Sequence, residues 1–243
     1  MNHIPFPYRD FTRVKDAVHT ALCELDETYV LVTGETGTGK TALLRELRST
    51  LDRARQRVQY FSGARRLGAS GLVKVVSEGL RVRTSTCHSV TFDRLLRAIG
   101  EESHRIMLWI DEAHDLPEET MAQVRALVEA DLDGECRVQV LLVGMPRLRA
   151  QLQNFPHMWR RIVVREDLTG LQTDELTEFL EHHFGAGQAK RLCEQGLAML
   201  FEHGKGSPGL ILPMCRRLFA TASGKARIEP ECVDDALQRW DFA

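Results

Sequence analysis

The residues with the clearest chemistry lie in a glycine-rich segment near the beginning of the chain. Residues 34–41 read GETGTGKT and match the pattern G-x-x-x-x-G-K-[ST], whose backbone N–H groups surround the phosphates of ATP or GTP. The pattern predicts that Lys40 reaches the β- and γ-phosphates and that the Thr41 hydroxyl binds Mg²⁺. We expect the nucleotide to be held by Gly34, Glu35, Thr36, Gly37, Thr38, Gly39, Lys40, Thr41 and Ala42.

The residues on either side of this segment are those that a phosphate-binding loop requires. Residues 29–33 are apolar and β-branched, as in a buried parallel strand, and residues 41–48 are rich in helix formers with apolar positions at helical spacing. A helix that begins at the loop adds its positive N-terminal end to an anion site. The alternative, a glycine-rich turn that binds nothing, is disfavoured because all four fixed positions occur in a strand–loop–helix context.

A pair of carboxylates follows an apolar run further along the chain. Residues 106–110 read IMLWI and lead directly into Asp111 and Glu112. This places both side chains at the carboxyl end of a predicted strand, where doubly wound sheets bind ligands. We predict that Asp111 binds Mg²⁺ and that Glu112 is the general base that polarises the attacking water. The alternative is a strand end that is merely capped by acidic residues.

His114 completes the sequence DEAH, which also occurs in a group of helicases. Those helicases contain a second motor domain, which we do not expect in a chain of 243 residues.

Apolar periodicity predicts an α/β fold followed by a helical segment. Predicted strands occupy residues 29–33, 58–61, 105–110, 138–143 and 162–164. Predicted helices in the same part of the chain occupy residues 10–25, 41–48, 71–80, 89–99 and 117–131. After residue 168 we expect only helices, at about 173–184, 188–203, 208–221 and 230–239. The predicted divisions are an N-terminal linker and helix (1–27), a nucleotide-binding α/β domain with a doubly wound parallel sheet (28–168) and a small all-helical lid domain (169–243).

The composition is that of an ordinary soluble globular protein, with 43% hydrophobic and 27% charged residues. The apolar runs are too short to cross a membrane, and residues 1–5 do not begin a secretory signal. The six cysteines are scattered without a C-x-x-C pair, which favours free thiols over disulfides or a metal site. We expect a cytoplasmic protein without a membrane partner.

The charge is unevenly distributed along the chain. Residues 53–97 contain ten Arg and Lys against two carboxylates, and residues 98–136 contain eleven carboxylates against two arginines. A local basic region in a near-neutral protein is compatible with nucleic-acid binding, although its charges can equally pair with the acidic region that follows. The candidate DNA contacts are Arg53, Arg55, Arg57, Arg65, Arg66, Lys74, Arg81 and Arg83.

Arg160 and Arg161 precede the fifth predicted strand. There, one subunit can offer an arginine to the nucleotide of its neighbour, which stabilises the charge on the transferred phosphoryl group. The alternative is an exposed arginine pair with no catalytic role.

The sequences GETGTGKT, IDEAH, VGMPRL and RRI, together with a helical C-terminal part, resemble those of AAA+ ATPases across nearly the whole chain. Within that class the chain is similar to the group that contains the secretion ATPase ExeA and the transposition regulators TnsC and TniB. The ExeA pattern has Gln where this chain has Met145, and a lid arginine where it has Gly209. The glycine followed by apolar residues looks closer to the TniB type.

This resemblance implies ATP and Mg²⁺ as cofactors, and catalytic roles for Lys40, Glu112, Arg160 and Arg161. It implies a slow ATPase, stimulated by DNA or by oligomerisation, that forms rings or filaments of itself on double-stranded DNA and regulates a transposase. Two alternatives remain open: a remodelling ATPase of the ExeA kind that does not bind DNA, and a nucleotide switch with little turnover.

Overall fold

A computed structural model describes residues 5–52, 54–63, 68–130, 137–223 and 226–241. It contains a five-stranded parallel sheet in the order β2-β3-β4-β1-β5. The strands are β1 (Tyr29–Thr33), β2 (Gln56–Ser62), β3 (Arg105–Asp111), β4 (Val138–Gly144) and β5 (Ile162–Asp167). All five lie where the sequence predicts a strand, and the doubly wound α/β fold class is confirmed.

Twelve α-helices occur among the described residues. Those up to the end of the sheet are α1 (Arg9–Cys23), α2 (Lys40–Thr50), α3 (Ala69–Gly79), α4 (His88–Glu101), α5 (Glu118–Glu129), α6 (Arg147–Gln153) and α7 (Pro156–Arg161). Those after the sheet are α8 (Leu176–Phe184), α9 (Ala186–Ala189), α10 (Glu194–Gly204), α11 (Pro208–Thr221) and α12 (Pro230–Asp241). None of the helices in the described ranges is long and apolar enough to cross a membrane.

The chain divides into two compact units. The sheet unit contains Val14–Thr33 and Leu43–Asp167, and the loop unit contains the residues up to Arg13, Gly34–Ala42 and the residues from Leu168 onward. The phosphate-loop sequence thus groups with the C-terminal helices. The predicted divisions at 27/28 and 168/169 remain predictions.

Two interior strands of the sheet unit are buried along their whole length. Every residue of β1 and β4 is buried, as expected where helices cover both faces of a parallel sheet. Leu31, Leu108 and Leu142 belong to one core cluster on neighbouring strands. Trp109 is also fully buried.

Two parts of the helix prediction are wrong. The helix predicted at 188–203 is interrupted between α9 and α10, because the main chain at Leu192 forms a parallel bridge with Ile228. Cys193 then begins α10 by accepting a hydrogen bond from the Gly196 amide at 3.4 Å. The short helices α6 and α7, which begin directly after Pro146 and at Pro156, were not predicted.

Candidate active site

The phosphate loop joins β1 to α2 and has the backbone shape that its glycines allow. Gly37 and Gly39 have φ angles of +81° and +103°, a region that residues with a Cβ rarely adopt. Thr38 stabilises the turn by donating a hydrogen bond from its hydroxyl to the Glu35 carbonyl at 2.9 Å. The helix α2 begins at Lys40, immediately after the second of these glycines.

The Lys40 side chain is held against this loop. The residue is only 6% exposed, and its Nζ donates to the carbonyls of Gly34 and Glu35, both at 2.8 Å. The ammonium group is therefore placed at the loop, where a phosphate would provide a charged partner. Thr41 is exposed on the first turn of α2.

The first turn of α11 and the Ser207 residue before it contact the phosphate loop. The Gly209 amide donates to the Gly37 carbonyl at 2.9 Å, and the Ser207 hydroxyl donates to the Thr36 carbonyl at 3.2 Å. A Cβ on residue 209 would lie 2.7 Å from the Gly37 Cα and 3.0 Å from its oxygen. The glycine that sequence comparison treats as a missing arginine is thus required by a close approach of two backbones.

Tyr8 supports the same loop from the N-terminal segment. Its hydroxyl donates to the Thr38 carbonyl, and the residue is 3% exposed. Burial, and then the carboxylates of Asp10 and Glu175, raise the pKa of the Tyr8 phenol, which further favours its protonated, hydrogen-bond-donating form. Glu175 also accepts from the Arg9 amide at 2.7 Å.

Asp111 ends β3 and is held by two donors. It is 3% exposed, and it accepts hydrogen bonds from the Tyr60 hydroxyl at 3.2 Å and from the Glu112 amide at 3.0 Å. Burial and the Asp111 carboxylate raise the pKa of Tyr60. A buried carboxylate oriented by fixed donors has the chemistry of a Mg²⁺ ligand.

Glu112 occupies a strained backbone position. Its φ and ψ angles are 52° and 37°, in the left-handed region that costs a residue with a Cβ roughly 1–2 kcal/mol. It precedes the 3₁₀ turn Ala113–Asp115, and its side chain is 38% exposed. The turn directs the carboxylate to a position that water can reach, as a general base requires.

The phosphate loop belongs to the loop unit, whereas Asp111 and Glu112 belong to the sheet unit. Each is oriented by contacts within its own unit. Tyr8, Tyr60 and Ser207 were missed by sequence reasoning because no local motif marks them. Each contacts a partner that is distant in the sequence. The alternation of side chains along β2 is the signal that could have pointed to Tyr60.

Arg160 and Arg161 lie exposed on the last turn of α7. The Arg161 guanidinium is 3.8 Å from the Glu129 carboxylate, and both side chains are partly exposed. A pair of this kind contributes little to stability. The role of these two residues toward a neighbouring subunit remains a prediction.

The basic region is only partly described. Arg55, Lys74, Arg81 and Arg83 are exposed. Arg57 instead pairs with Glu102 at 3.0 Å and donates to the Gly79 carbonyl at 2.8 Å, so its charge is partly neutralised by the acidic region. The other three candidates lie outside the described residues: Arg53, Arg65 and Arg66.

The sequence profile of the family described as "AAA domain" matches residues 24–152, more than half of the chain. The chain belongs to the AAA domain family. The matched residues include the phosphate loop and the strand that ends at Asp111. AAA domains are nucleotide-binding ATPase domains, as the sequence resemblance implied. No curated protein sequence matches the chain.

Solved structures match the fold of this AAA protein over nearly its whole length. The Aeropyrum pernix ORC1 protein in complex with DNA is 18% identical with a TM-score of 0.68, and the match covers 99% of this chain and 67% of that one. The ORC2 protein of the same organism, with ADPNP and ADP, is 16% identical with a TM-score of 0.70, covering 98% and 70%. Cdc6p from Pyrobaculum aerophilum is 20% identical with a TM-score of 0.73, covering 98% and 68%.

Proposed function

We propose that this AAA protein is a Mg²⁺-dependent ATPase with slow turnover. The observation that carries the proposal is the glycine loop, in which positive φ angles at Gly37 and Gly39 accompany a buried Lys40. The loop amides and Lys40 would bind the phosphates, and Thr41 and Asp111 are the residues that would hold Mg²⁺. When bound, Mg²⁺ would neutralise charge on the phosphates.

Glu112 activates the water that attacks the γ-phosphate. Its partly exposed carboxylate, in a strained turn beside Asp111, supports this role. Slow turnover is supported by Met145 and Gly209, which provide no polar or cationic side chain where related ATPases place one. The same two residues favour a nucleotide switch as the second candidate function.

The test compares wild type with Lys40→Ala and Glu112→Gln in ATP binding and single-turnover hydrolysis. We expect Lys40→Ala to bind ATP weakly. We expect Glu112→Gln to bind it normally but to hydrolyse it about 10²–10⁴-fold more slowly. Lys190→Ala and Glu118→Gln, both at exposed positions, are the matched controls. Equal rates for wild type and Glu112→Gln would favour the switch.

We further propose that the ATP-bound protein assembles on double-stranded DNA and regulates a transposase. The structural relative solved with DNA supports the DNA part of this proposal, as do the exposed side chains of Arg55, Lys74, Arg81 and Arg83. Contacts of this kind are made with phosphates, so affinity should fall steeply with salt and depend little on sequence. The transposase partner rests on the resemblance to the TniB type.

DNA binding is tested by titrating labelled duplex DNA at several salt concentrations with ATP or ADP. Each of Lys74→Ala and Arg83→Ala should reduce the slope of log affinity against log salt by about 1. Arg227→Ala, at an exposed position outside the basic region, should leave the slope unchanged. Absence of binding at low salt with ATP, together with ATPase activity indifferent to DNA, would favour the remodelling ATPase of the ExeA kind.

A further inference from the structure

The imidazole of His114 lies between the end of β4 and the carboxylate of Glu112. Its Nδ1 accepts a hydrogen bond from the Met145 amide at 3.1 Å. Its Nε2 is 3.3 Å from the nearest Glu112 oxygen and 3.7 Å from an Asp115 oxygen. The side chain is 3% exposed, so these groups and not bulk water determine where its proton lies.

The backbone amide determines the tautomer. An N–H group can only donate, so Nδ1 must offer its lone pair to Met145 and cannot carry the proton. In the neutral ring the proton then resides on Nε2. The N–H that results faces the two carboxylates, of which Glu112 is the nearer.

The same tautomer argues against a metal site at this cluster. The ligand atoms of Glu112, His114 and Asp115 are close enough to surround a cation. A histidine that binds metal donates its other ring N–H to an outer partner, whereas here the other nitrogen is an acceptor. Nε2 consequently has no lone pair to give, and the cluster is better suited to hold a carboxylate than a cation.

The surrounding residues hold the ring in place. A Cβ on residue 144 would lie 3.0 Å from Nδ1, so Gly144 allows the approach of the ring to β4. Gln151 on α6 donates to the His114 carbonyl at 3.0 Å. Arg147 donates to Asp115 at 2.8 Å, which provides Asp115 with a cationic partner and leaves Glu112 for the histidine.

We propose that His114 is a positioning residue that couples the main chain at Met145 to the proposed base, Glu112. Met145 has no polar side chain with which to sense the γ-phosphate. Its backbone amide is nevertheless linked to Glu112, because the His114 imidazole contacts both groups. A shift of the β4 end removes the donor that sets the tautomer, and thereby changes how Glu112 is held. This inference rests on the proposed role of Glu112.

The arrangement is tested without activity by NMR of protein labelled with ¹⁵N-histidine, with the His114 signals identified by their loss in His114→Gln. We expect the chemical shifts of an unprotonated Nδ1 and a protonated Nε2. A protonated Nδ1, in either the other neutral tautomer or the imidazolium, would overturn the inference. This measurement remains decisive even if wild type hydrolyses no ATP, a result that would refute only the proposed function.

The coupling is tested by two amide substitutions. His114→Gln places an amide near the position of Nε2, where its NH₂ group can donate to Glu112. His114→Asn places an amide near the position of Nδ1, where its oxygen can accept from the Met145 amide. We expect His114→Asn to lower kcat about tenfold to a hundredfold with KM unchanged, as for a misplaced catalytic group. We expect His114→Gln to retain most of the wild-type kcat. Equal kcat for both variants and wild type would overturn the coupling.

Discussion

At the residue scale, Glu112 combines a chemical role with an unfavourable backbone conformation. Its φ of 52° is one that glycine adopts without strain, so Glu112→Gly removes the carboxylate and relieves the turn together. Glu112→Ala removes the carboxylate and leaves the strain. We expect Glu112→Gly to be more stable than Glu112→Ala by about 1 kcal/mol, measured by urea unfolding, with both variants inactive. The opposite order would show that the turn is not strained.

The described cysteines differ in their environments, and this predicts an order of alkylation. Hydrogen bonds from the Ser89 hydroxyl and from backbone amides lower the pKa of exposed Cys87, whereas burial raises the pKa of Cys215 to about 12. The thiolate is the reactive form. Iodoacetamide at pH 7.5 should therefore modify Cys87 first and Cys215 only after unfolding, as read by peptide mass spectrometry. Early modification of Cys215 would contradict its burial.

The roles of residues that belong to a local sequence motif could be predicted. The roles of residues whose partners are distant in sequence could not. Asp111 and Glu112 follow a recognisable strand, and Lys40 belongs to a fixed loop pattern. Tyr60 reaches Asp111 only because β2 and β3 pair in register. Nothing in the sequence around His114 indicates that its Nδ1 meets an amide 31 residues away.

At the scale of elements, the junction between the phosphate loop and α11 depends on the absence of a side chain at residue 209. Gly209→Ala forces a Cβ against the Gly37 backbone, so we expect a loss of roughly 1–3 kcal/mol in stability and weaker ATP binding. Gly187→Ala is the control, because a Cβ there meets nothing within 4 Å. Thermal unfolding with and without ATP measures both effects. Equal stability and equal ATP binding for the two variants would mean that the Gly37 backbone moves to accommodate the added Cβ without cost.

Periodicity located the strands and most helices because apolar faces must be buried at regular spacing. It did not reveal the break before α10, since the bridge of Leu192 with Ile228 joins segments far apart in sequence. The strand order was equally beyond local patterns: β1 lies between β4 and β5, and hydrophobicity does not specify which strands become neighbours.

At the scale of the whole molecule, the proposed assembly predicts complementation between inactive variants. In this assembly Arg160 and Arg161 act on the nucleotide of a neighbouring subunit. The double variant Arg160→Ala with Arg161→Ala retains Glu112, and Glu112→Gln retains both arginines. Mixing the two should restore ATPase activity that neither has alone, because some interfaces then contain a complete site. Activity should rise with the total concentration of the mixture. No recovery, despite co-assembly by light scattering, would exclude the trans role.

The support that the phosphate loop receives from distant segments also determines when it is completed during synthesis. The Thr36 carbonyl meets the Ser207 hydroxyl, 171 residues later in the chain. At about 5–20 residues per second, the ribosome supplies that partner roughly ten to thirty seconds after making the loop. The loop is thus made early and finished late. A chain that terminates before Ser207 contains every strand of the sheet, but it lacks the hydrogen bonds that Ser207 and Gly209 make to the phosphate loop.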